Sequence, residues 1–483
     1  VSLSRFHRFV FVAAALVYAI TAWFSTGYHS ADEHFQIIAF AQWKLGELPM
    51  EHLAWEFNAG IRSSFQPWIA VAVFNCADAL GIGDPFTQTL LLRLLTAVLA
   101  LVAVRGFVRG VCVELDQRTH KVYIVLSYLL WFLPFLHVRF SSEGWSGIAL
   151  VFMVSAVLQR GSSWAIRAGI FAGIAILCRP PTGLIVLSAI AWILIIRKER
   201  LTDVFKYTAG TLLTLALGLL LDRAFYGHFT PTTWNYVGMG LTGSGAPVFD
   251  QLPWYYYPPW IVKYAIPPIG AIILLALLTL LVKRPQHLAV WCTVPYVVAH
   301  SFIPHKELRF LYPLADLVPW MVISAWSLVL DTSWTRTRRP LFLGIAGLLV
   351  IANLMGLAMV MTSSAGEGRV RIAEELHRSC KPGDRIGYAV EEPIAWRIML
   401  PDFYRPPGTS EAVVPPHVPF VHAERLNNIV VQDGLPIPIN DARFQLTPIV
   451  RTEPMWSTAL MRWYTWSEGQ KPWTLYRVRP VAR

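Results

Sequence analysis

The sequence predicts an α-helical polytopic membrane protein with a small α/β domain at its C-terminal end. Three observations predict it. The chain of 483 residues is 55% hydrophobic and only 15% charged, with 20 Trp and 26 Phe, unlike an ordinary soluble domain. Apolar runs of about 17 to 24 residues, long enough to cross a hydrocarbon core, recur up to residue 361. Beyond residue 363 the pattern changes to short apolar stretches divided by Pro, Gly and Asn, the mark of strands and turns.

The elements follow in order. The first run, 9 to 24, comes after "RFHR", and the following "STGYH" is a poor signal-cleavage site, so the run reads as a retained helix. Ten more runs fall at 86 to 104, 121 to 138, 143 to 159, 164 to 178, 181 to 196, 204 to 222, 260 to 282, 287 to 303, 310 to 330 and 340 to 361, giving about eleven spans. The stretch "PWIAVAVFNCADALGIG" from Pro67 is left out because Asn75 and Asp78 are costly against lipid. It reads as a re-entrant or interfacial helix.

The net charge of +11 supports that choice. Short cytoplasmic loops carry the excess of Lys and Arg. Six basic segments mark that side: Arg5 and Arg8; Arg105 to Lys121; Arg160 and Arg167; Arg197 to Arg200; Lys283 and Arg284; and Arg336 to Arg339. With all six inside, "HSADEHFQ" at 29, "RFSSEG" at 139, "CRPPTG" at 178, the loop from Phe225 to Pro259, "HKELRF" at 305 and the tail all face outward. The charge is thus accounted for by topology, and no nucleic-acid partner is expected. The expected division is a transmembrane module over 1–362, whose first outer loop is 25–85, and an extracytoplasmic α/β domain over 363–483. In that domain "RVRIAEELHRS" reads as a helix, and "KPGDRIGYAV", "LNNIVVQDG", "FQLTPIV" and "KPWTLYRVRP" as strands. The five cysteines form no CxxC pattern or disulfide framework.

Chemistry-bearing residues collect in the outward segments. Asp32 and Glu33 open an amphipathic stretch, "HFQIIAFAQWKLGEL". Acids there can simply favour a helix N-terminus, or one can serve as a general base. His305, Lys306 and Arg309 lie within five positions at the outer end of a span, where a phosphate finds a point charge and a bidentate fork together. Arg62 and Arg139 add cations on the same side. Glu307, Arg93 and Arg179 read as structural: Glu307 as a local ion-pair partner, Arg179 as part of a proline-marked helix break. Trp234 and Asn235 suit a sugar, offering an apolar face and an amide, whereas "WYYYPPW" suits an interfacial aromatic belt.

In chain order, "DEHFQ", "EFNAGIRSSFQP", "GIAILCRPPTGLI", "DRAFYGHFTPTTWNYV" and above all "HKELRFLYP" resemble glycosyltransferase family 22 over residues 10 to 330. These are multi-span α-mannosyltransferases of the GT-C superfamily that take mannose from a polyprenyl (dolichyl) phosphate. The resemblance implies a GT-C type membrane fold and an inverting transfer, with Asp32 as base and Glu33 as its partner. It places His305, Lys306, Glu307, Arg309 and Phe310 near the donor phosphate and matches Arg62 with Ser63 in the first loop and Asn235 in the long loop; donor phosphate binding is expected of His305, Lys306, Arg309 and Arg62, and acceptor or sugar contacts of Gln36, Arg139, Trp234 and Asn235. Two departures stand out. "HSADE" replaces the family's His-Pro before Asp-Glu, so His29 carries no role over. Glu143 stands about where the family has an Asn, which makes it an acceptor-site candidate and a second candidate base.

The chemistry implied is a single in-line displacement. A carboxylate takes the proton of an acceptor sugar hydroxyl as that oxygen attacks the anomeric carbon, and cations stabilise the departing lipid phosphate. No cofactor and no metal are expected. The partners expected are a polyprenyl-phosphate sugar, a glycolipid or lipid-linked oligosaccharide acceptor, and membrane lipids. The active site is expected on the extracytoplasmic side, at the endoplasmic reticulum membrane in a eukaryote or at the plasma or inner membrane in a bacterium. The rival readings are a transferase of another lipid-linked sugar, such as arabinose or an amino sugar, and a lipid or sugar transporter. A transporter should carry inverted repeats or paired broken helices, which the sequence does not display.

Overall fold

The computed structural model describes residues 3–242, 251–329, 339–389, 401–414, 426–432, 435, 444–452 and 473–480. The basic residues Arg336 and Arg338, and the stretch "TGSGAPVFDQ" except its ends, lie outside the described residues. The chain divides into two compact units. The first is Val1–Ala22, Phe35–Val73 and Leu92–Met361, and the second is Trp23–His34, Phe74–Leu91 and Thr362–Arg483.

The first unit is helical. Each apolar run read from the sequence contains helix, because a segment in lipid must satisfy its backbone groups internally. Among the described residues, five helices are long and apolar enough to cross a membrane: Leu3–Phe24, Pro85–Val111, Ser142–Gln159, Leu201–Tyr226 and Pro340–Thr362. Two bent pairs, Pro267–Lys283 with Leu288–Phe302 and Leu308–Leu314 with Leu317–Ser327, raise the number to 7 if each pair is one span. Trp164–Cys178 and Pro180–Ile195 are shorter apolar helices.

Three runs expected to be continuous are broken, that at 260 to 282 falling into Tyr257–Tyr264 and Pro267–Lys283. The run at 121 to 138 is His120–Leu129 followed by Phe132–Leu136, the second piece holding Pro134. The run at 310 to 330 begins as a 3-10 segment, Leu308–Leu314, with Pro313 inside. Proline removes a helix hydrogen bond and forces such breaks. The stretch from Pro67 lies in the fifteen-residue helix Phe65–Ala79.

The second unit holds a five-stranded sheet. Its strands are β1 (Arg385–Ala389), β2 (Ser410–Val414), β3 (Asn428–Gln432), β4 (Phe444–Arg451) and β5 (Trp473–Pro480). Their order is β2-β1-β3-β5-β4. β1 pairs in parallel with β2 and β3, whereas β5 runs antiparallel to β3 and β4. Alternation sorts the side chains: Ile386, Tyr388, Val430 and Leu475 pack with Ile372, Ala373 and Leu376 of the helix Arg369–Ser379. Ala389, Val414, Ile429 and Val431 form a core with Leu426 and Val478. β2, "SEAVV", is the strand that sequence reasoning missed. All five cysteines are free thiols.

Candidate functional site

A cluster of charged side chains forms inside the first unit around the "HKELRF" segment. Glu143 is the second residue of the helix Ser142–Gln159, whose start is fixed by the Ser141 hydroxyl accepting from Gly144 N at 3.0 Å. That helix packs closely on the 3-10 segment: a Cβ on Gly147 would lie 3.3 Å from Pro313 Cα. Arg179 caps the end of Trp164–Cys178, just before Pro180. Three distant segments thus meet.

Glu143 is the hub. Its Oε1 accepts from Arg179 Nη1 at 2.7 Å and from Arg309 Nη1 at 3.3 Å, and its Oε2 accepts from the Ser142 hydroxyl at 3.0 Å. Arg309 is gripped again by Glu307, with Nε to Oε2 at 2.6 Å and Nη2 to Oε1 at 2.8 Å. His305 Nε2 lies 3.0 Å from the same Glu307 Oε1. Both guanidiniums rest against the Phe310 ring, at 4.8 Å for Arg179 and 5.6 Å for Arg309, and the Tyr296 hydroxyl holds the Phe310 carbonyl at 2.9 Å.

Among the described contacts, two guanidiniums face two carboxylates. The carboxylates differ in access: the Glu143 side chain is 3% exposed and that of Glu307 36%. An incoming anion can therefore displace Glu307 and take the Nε and Nη2 edge of Arg309, while Glu143 stays behind the guanidiniums as a fixed counter-charge. Planar forks of this kind match phosphate oxygens bidentately. Glu143 is poorly placed as a base, because its oxygens already serve three donors. Arg179 is the residue that sequence reasoning set aside, and the signal for it was a cation between two apolar runs with no acid near it in sequence.

The other expected residues fall as follows. Gln36 Nε2 donates to Glu56 Oε1 at 2.8 Å, and Arg62 Nη2 stands 3.8 Å from the same oxygen. Arg62 also lies 5.7 Å from the Tyr236 ring. Asn235 Nδ2 donates to the Gly60 carbonyl at 3.0 Å, fastening the helix Thr232–Thr242 to the first loop. Trp234 beside it is 76% exposed, as an interfacial or ligand-facing ring should be. Arg139 is buried, with its guanidinium 5.8 Å from the Phe135 ring. Lys306 departs from the expected phosphate contact: it is buried, and its ammonium donates to the carbonyls of Leu252 at 2.7 Å, Ile303 at 2.5 Å and Pro304 at 3.5 Å.

Two further buried groups were not read from the sequence. Asp222 accepts from Ser64 N and Ser64 Oγ, each at 2.7 Å, from Thr232 Oγ1 at 2.6 Å and from Ser63 Oγ at 3.3 Å. It ties the "RSSF" loop to the start of Thr232–Thr242. Tyr18, His137 and Asp316 form a buried chain, with Tyr18 Oη to His137 Nδ1 at 2.6 Å and His137 Nε2 to Asp316 Oδ1 at 2.9 Å. It anchors the segment that follows "HKELRF".

Asp32 and Glu33 belong to the second unit. They sit in the short helix Ala31–Glu33, which leads into a π-helical turn, His34–Ile38, and then Ala39–Leu45. Such turns recur at functional sites. Ser30 precedes them without making a side-chain cap. Asp32 is partly exposed and Glu33 is buried.

Comparison with known proteins agrees with this picture. The model of the Alg9-like mannosyltransferase family matches residues 9–398. The GPI alpha-1,2-mannosyltransferase 3 of Xenopus laevis is 24% identical over 347 residues, which is 68% of this chain and 60% of that protein. The alpha-1,2-mannosyltransferase ALG9 of Saccharomyces cerevisiae is 29% identical over 156 residues, 30% of this chain and 26% of that one. The match thus spans about 60% of the length of the first of these relatives. Among solved structures, ArnT from Cupriavidus metallidurans bound to undecaprenyl phosphate has the same fold, with a TM-score of 0.55 at 13% identity over 96% of this chain and 97% of that one. The apolar helices and this fold indicate an integral membrane protein. By its sequence from 9 to 398, the chain belongs to the Alg9-like mannosyltransferase family.

Proposed function

We propose that the chain is an inverting α-mannosyltransferase that moves mannose from a polyprenyl (dolichyl) phosphate to a hydroxyl of a glycolipid or lipid-linked glycan, on the extracytoplasmic side of the membrane. The observation that carries this reading is the paired guanidiniums of Arg179 and Arg309 held by Glu143 at the "HKELRF" segment. Family membership and the printed activities of the relatives support mannose as the sugar. ArnT, of the same fold, is bound to undecaprenyl phosphate, which supports a lipid phosphate as its carrier. Membership of a transferase family argues against the transporter reading.

In the proposed reaction Asp32, the residue the family resemblance puts in the base position, takes the proton of the acceptor hydroxyl. The acceptor oxygen bonds to the anomeric carbon as the bond from that carbon to the phosphate oxygen breaks. The bonding pair leaves with the phosphate, and the configuration at carbon inverts. Arg309, its Glu307 partner displaced, meets the charge that grows on the departing oxygens, with Arg179 behind it. These cations do the work a divalent metal does elsewhere, so the reaction as proposed requires none. The topology that accompanies it has about eleven spans and all the acidic and "HKELRF" loops outside.

The test is transfer from polyprenyl-phosphate-[¹⁴C]mannose to membrane glycolipids, with and without EDTA, comparing wild type with Asp32→Asn in one detergent. Wild type should transfer label in EDTA, and Asp32→Asn should bind donor without transferring. Full activity in Asp32→Asn would remove it as base, and use of another lipid-linked sugar in place of mannose would change the donor.

A further inference from the structure

We propose that the C-terminal α/β domain is the mount of the acidic segment, with His34 as the positioning residue that fixes Asp32. The proposal rests on the reading of Asp32 as the base. The segment Trp23–His34 folds into the second unit as part of its core. Tyr28, 5% exposed, packs in one cluster with Val370, Leu376, Tyr388 and Leu475. The Thr26 carbonyl accepts from Ala365 N at 3.0 Å. Gly366 has φ +56, and a Cβ there would collide with the Tyr28 carbonyl oxygen, so only glycine lets the two backbones come this close.

His34 closes the arrangement. It is 2% exposed, and its ring lies 5.6 Å from that of Tyr28, 6.1 Å from Phe403 and 5.6 Å from Tyr404. The cage is braced from the far end of the first loop, where Phe74 stacks on Phe403 at 5.6 Å and Phe86 meets Tyr404 at 5.4 Å. The residue two places after Asp32 is therefore clamped among aromatic rings of the domain. The backbone between is helical, with Glu33 N bonded to the Ser30 carbonyl at 3.1 Å. Clamped at one end and helical between, the segment holds the Asp32 carboxylate at a fixed place. A general base loses most of its effect when misplaced by about 1 Å. The domain thus supplies precision to the chemistry by holding the base in place.

The experiment uses the full chain purified in detergent, with His34→Ala, Tyr404→Ala and His34→Phe. Hydrogen exchange of peptides covering 25–34 is read alongside kcat and the donor KM for mannose transfer, and the protection of helix Ser142–Gln159 reports that the membrane unit is folded. Both alanine variants should expose 26–34 to exchange and lower kcat at least tenfold, with the donor KM within about twofold. His34→Phe, which keeps a ring in the cage, should restore both. If Tyr404→Ala unfolds, the smaller lesion His34→Ala carries the test. Unchanged exchange in His34→Ala overturns the mount, and lost protection at a wild-type kcat overturns the positioning role. If the wild type transfers no lipid-linked sugar, the functional reading falls, and the exchange measurement still decides whether the domain holds the segment.

Discussion

Replacing Glu143 by Gln should both destabilise the protein and tighten its hold on a lipid phosphate. Gln keeps the shape of the side chain and removes its charge. Arg309 retains Glu307, so the guanidinium left without a counter-charge is Arg179, whose side chain is 5% exposed and bonded to Glu143 at 2.7 Å. Breaking one buried ion pair costs about 3–5 kcal/mol. The lower end, about 3 kcal/mol, applies because Gln Oε1 can still accept a hydrogen bond. An added phosphate can return the missing charge: a ligand at 100 times its Kd stabilises by about 2.7 kcal/mol, nearly the whole deficit. The loss of the repelling charge of Glu143 beside the phosphate can raise affinity by up to about a hundredfold, since each 1.4 kcal/mol is tenfold. The assay is intrinsic tryptophan fluorescence during heating in detergent, with and without polyprenyl phosphate. The variant should melt lower than wild type alone and gain more from the lipid. A wild-type midpoint with unchanged affinity would mean that Glu143 does not neutralise the guanidiniums, and its role as their counter-charge would fail. Sugar transfer should survive in this variant, because the proposed base is Asp32.

Arg309→Lys keeps one charge but loses the fork that meets phosphate oxygens bidentately; kcat/KM for transfer should fall by about 10²–10³, and a fall under threefold would place the phosphate elsewhere. Asp316→Asn removes the charged acceptor of the buried His137 hydrogen bond; a drop in the thermal midpoint is expected, worth about 1.5–3 kcal/mol, and an unchanged midpoint would make the Tyr18–His137–Asp316 chain incidental. Burial pushes His34 down to about 3, with Asp402 opposing. Below the ordinary value of 6.5 the released segment then binds a proton that the caged ring does not, so the cage weakens as pH falls from 6.5 towards 3, by about 2 kcal/mol at pH 5. Exchange of 25–34 should therefore rise on acidification beyond its intrinsic pH dependence, and His34→Phe should abolish that rise.

The helices were legible because a lipid-spanning segment announces itself locally, by length and by the absence of charge. Where the reading smoothed over detail, at Leu130, at Ala265–Ile266 and at Leu308–Leu314, proline had broken runs whose hydropathy stayed continuous. The strands β1, β3, β4 and β5 alternate visibly between turn residues, whereas β2 is five residues flanked by proline-rich sequence and left too short a pattern to read. The site was legible only as far as its motifs. Arg309 and Glu307 are neighbours in sequence, so their pairing could be foreseen. Arg179 meets Glu143 across 36 positions, and Asp222 meets Ser64 across 158. Nothing local marks such partners. Lys306 was drawn towards a phosphate by the company it keeps in the motif, yet its reach is spent on backbone carbonyls.

That last contact fastens two stretches of backbone together. The Lys306 ammonium fills all three of its donor positions on Leu252, Ile303 and Pro304, and Leu252 N bonds back to the Pro304 carbonyl at 3.0 Å. A buried ammonium cannot give up one of these bonds alone without stranding its charge away from water. Freeing Leu252 would therefore mean breaking the ammonium's bond and the backbone bond together, which would place its release with cooperative local unfolding rather than with fast loop motion.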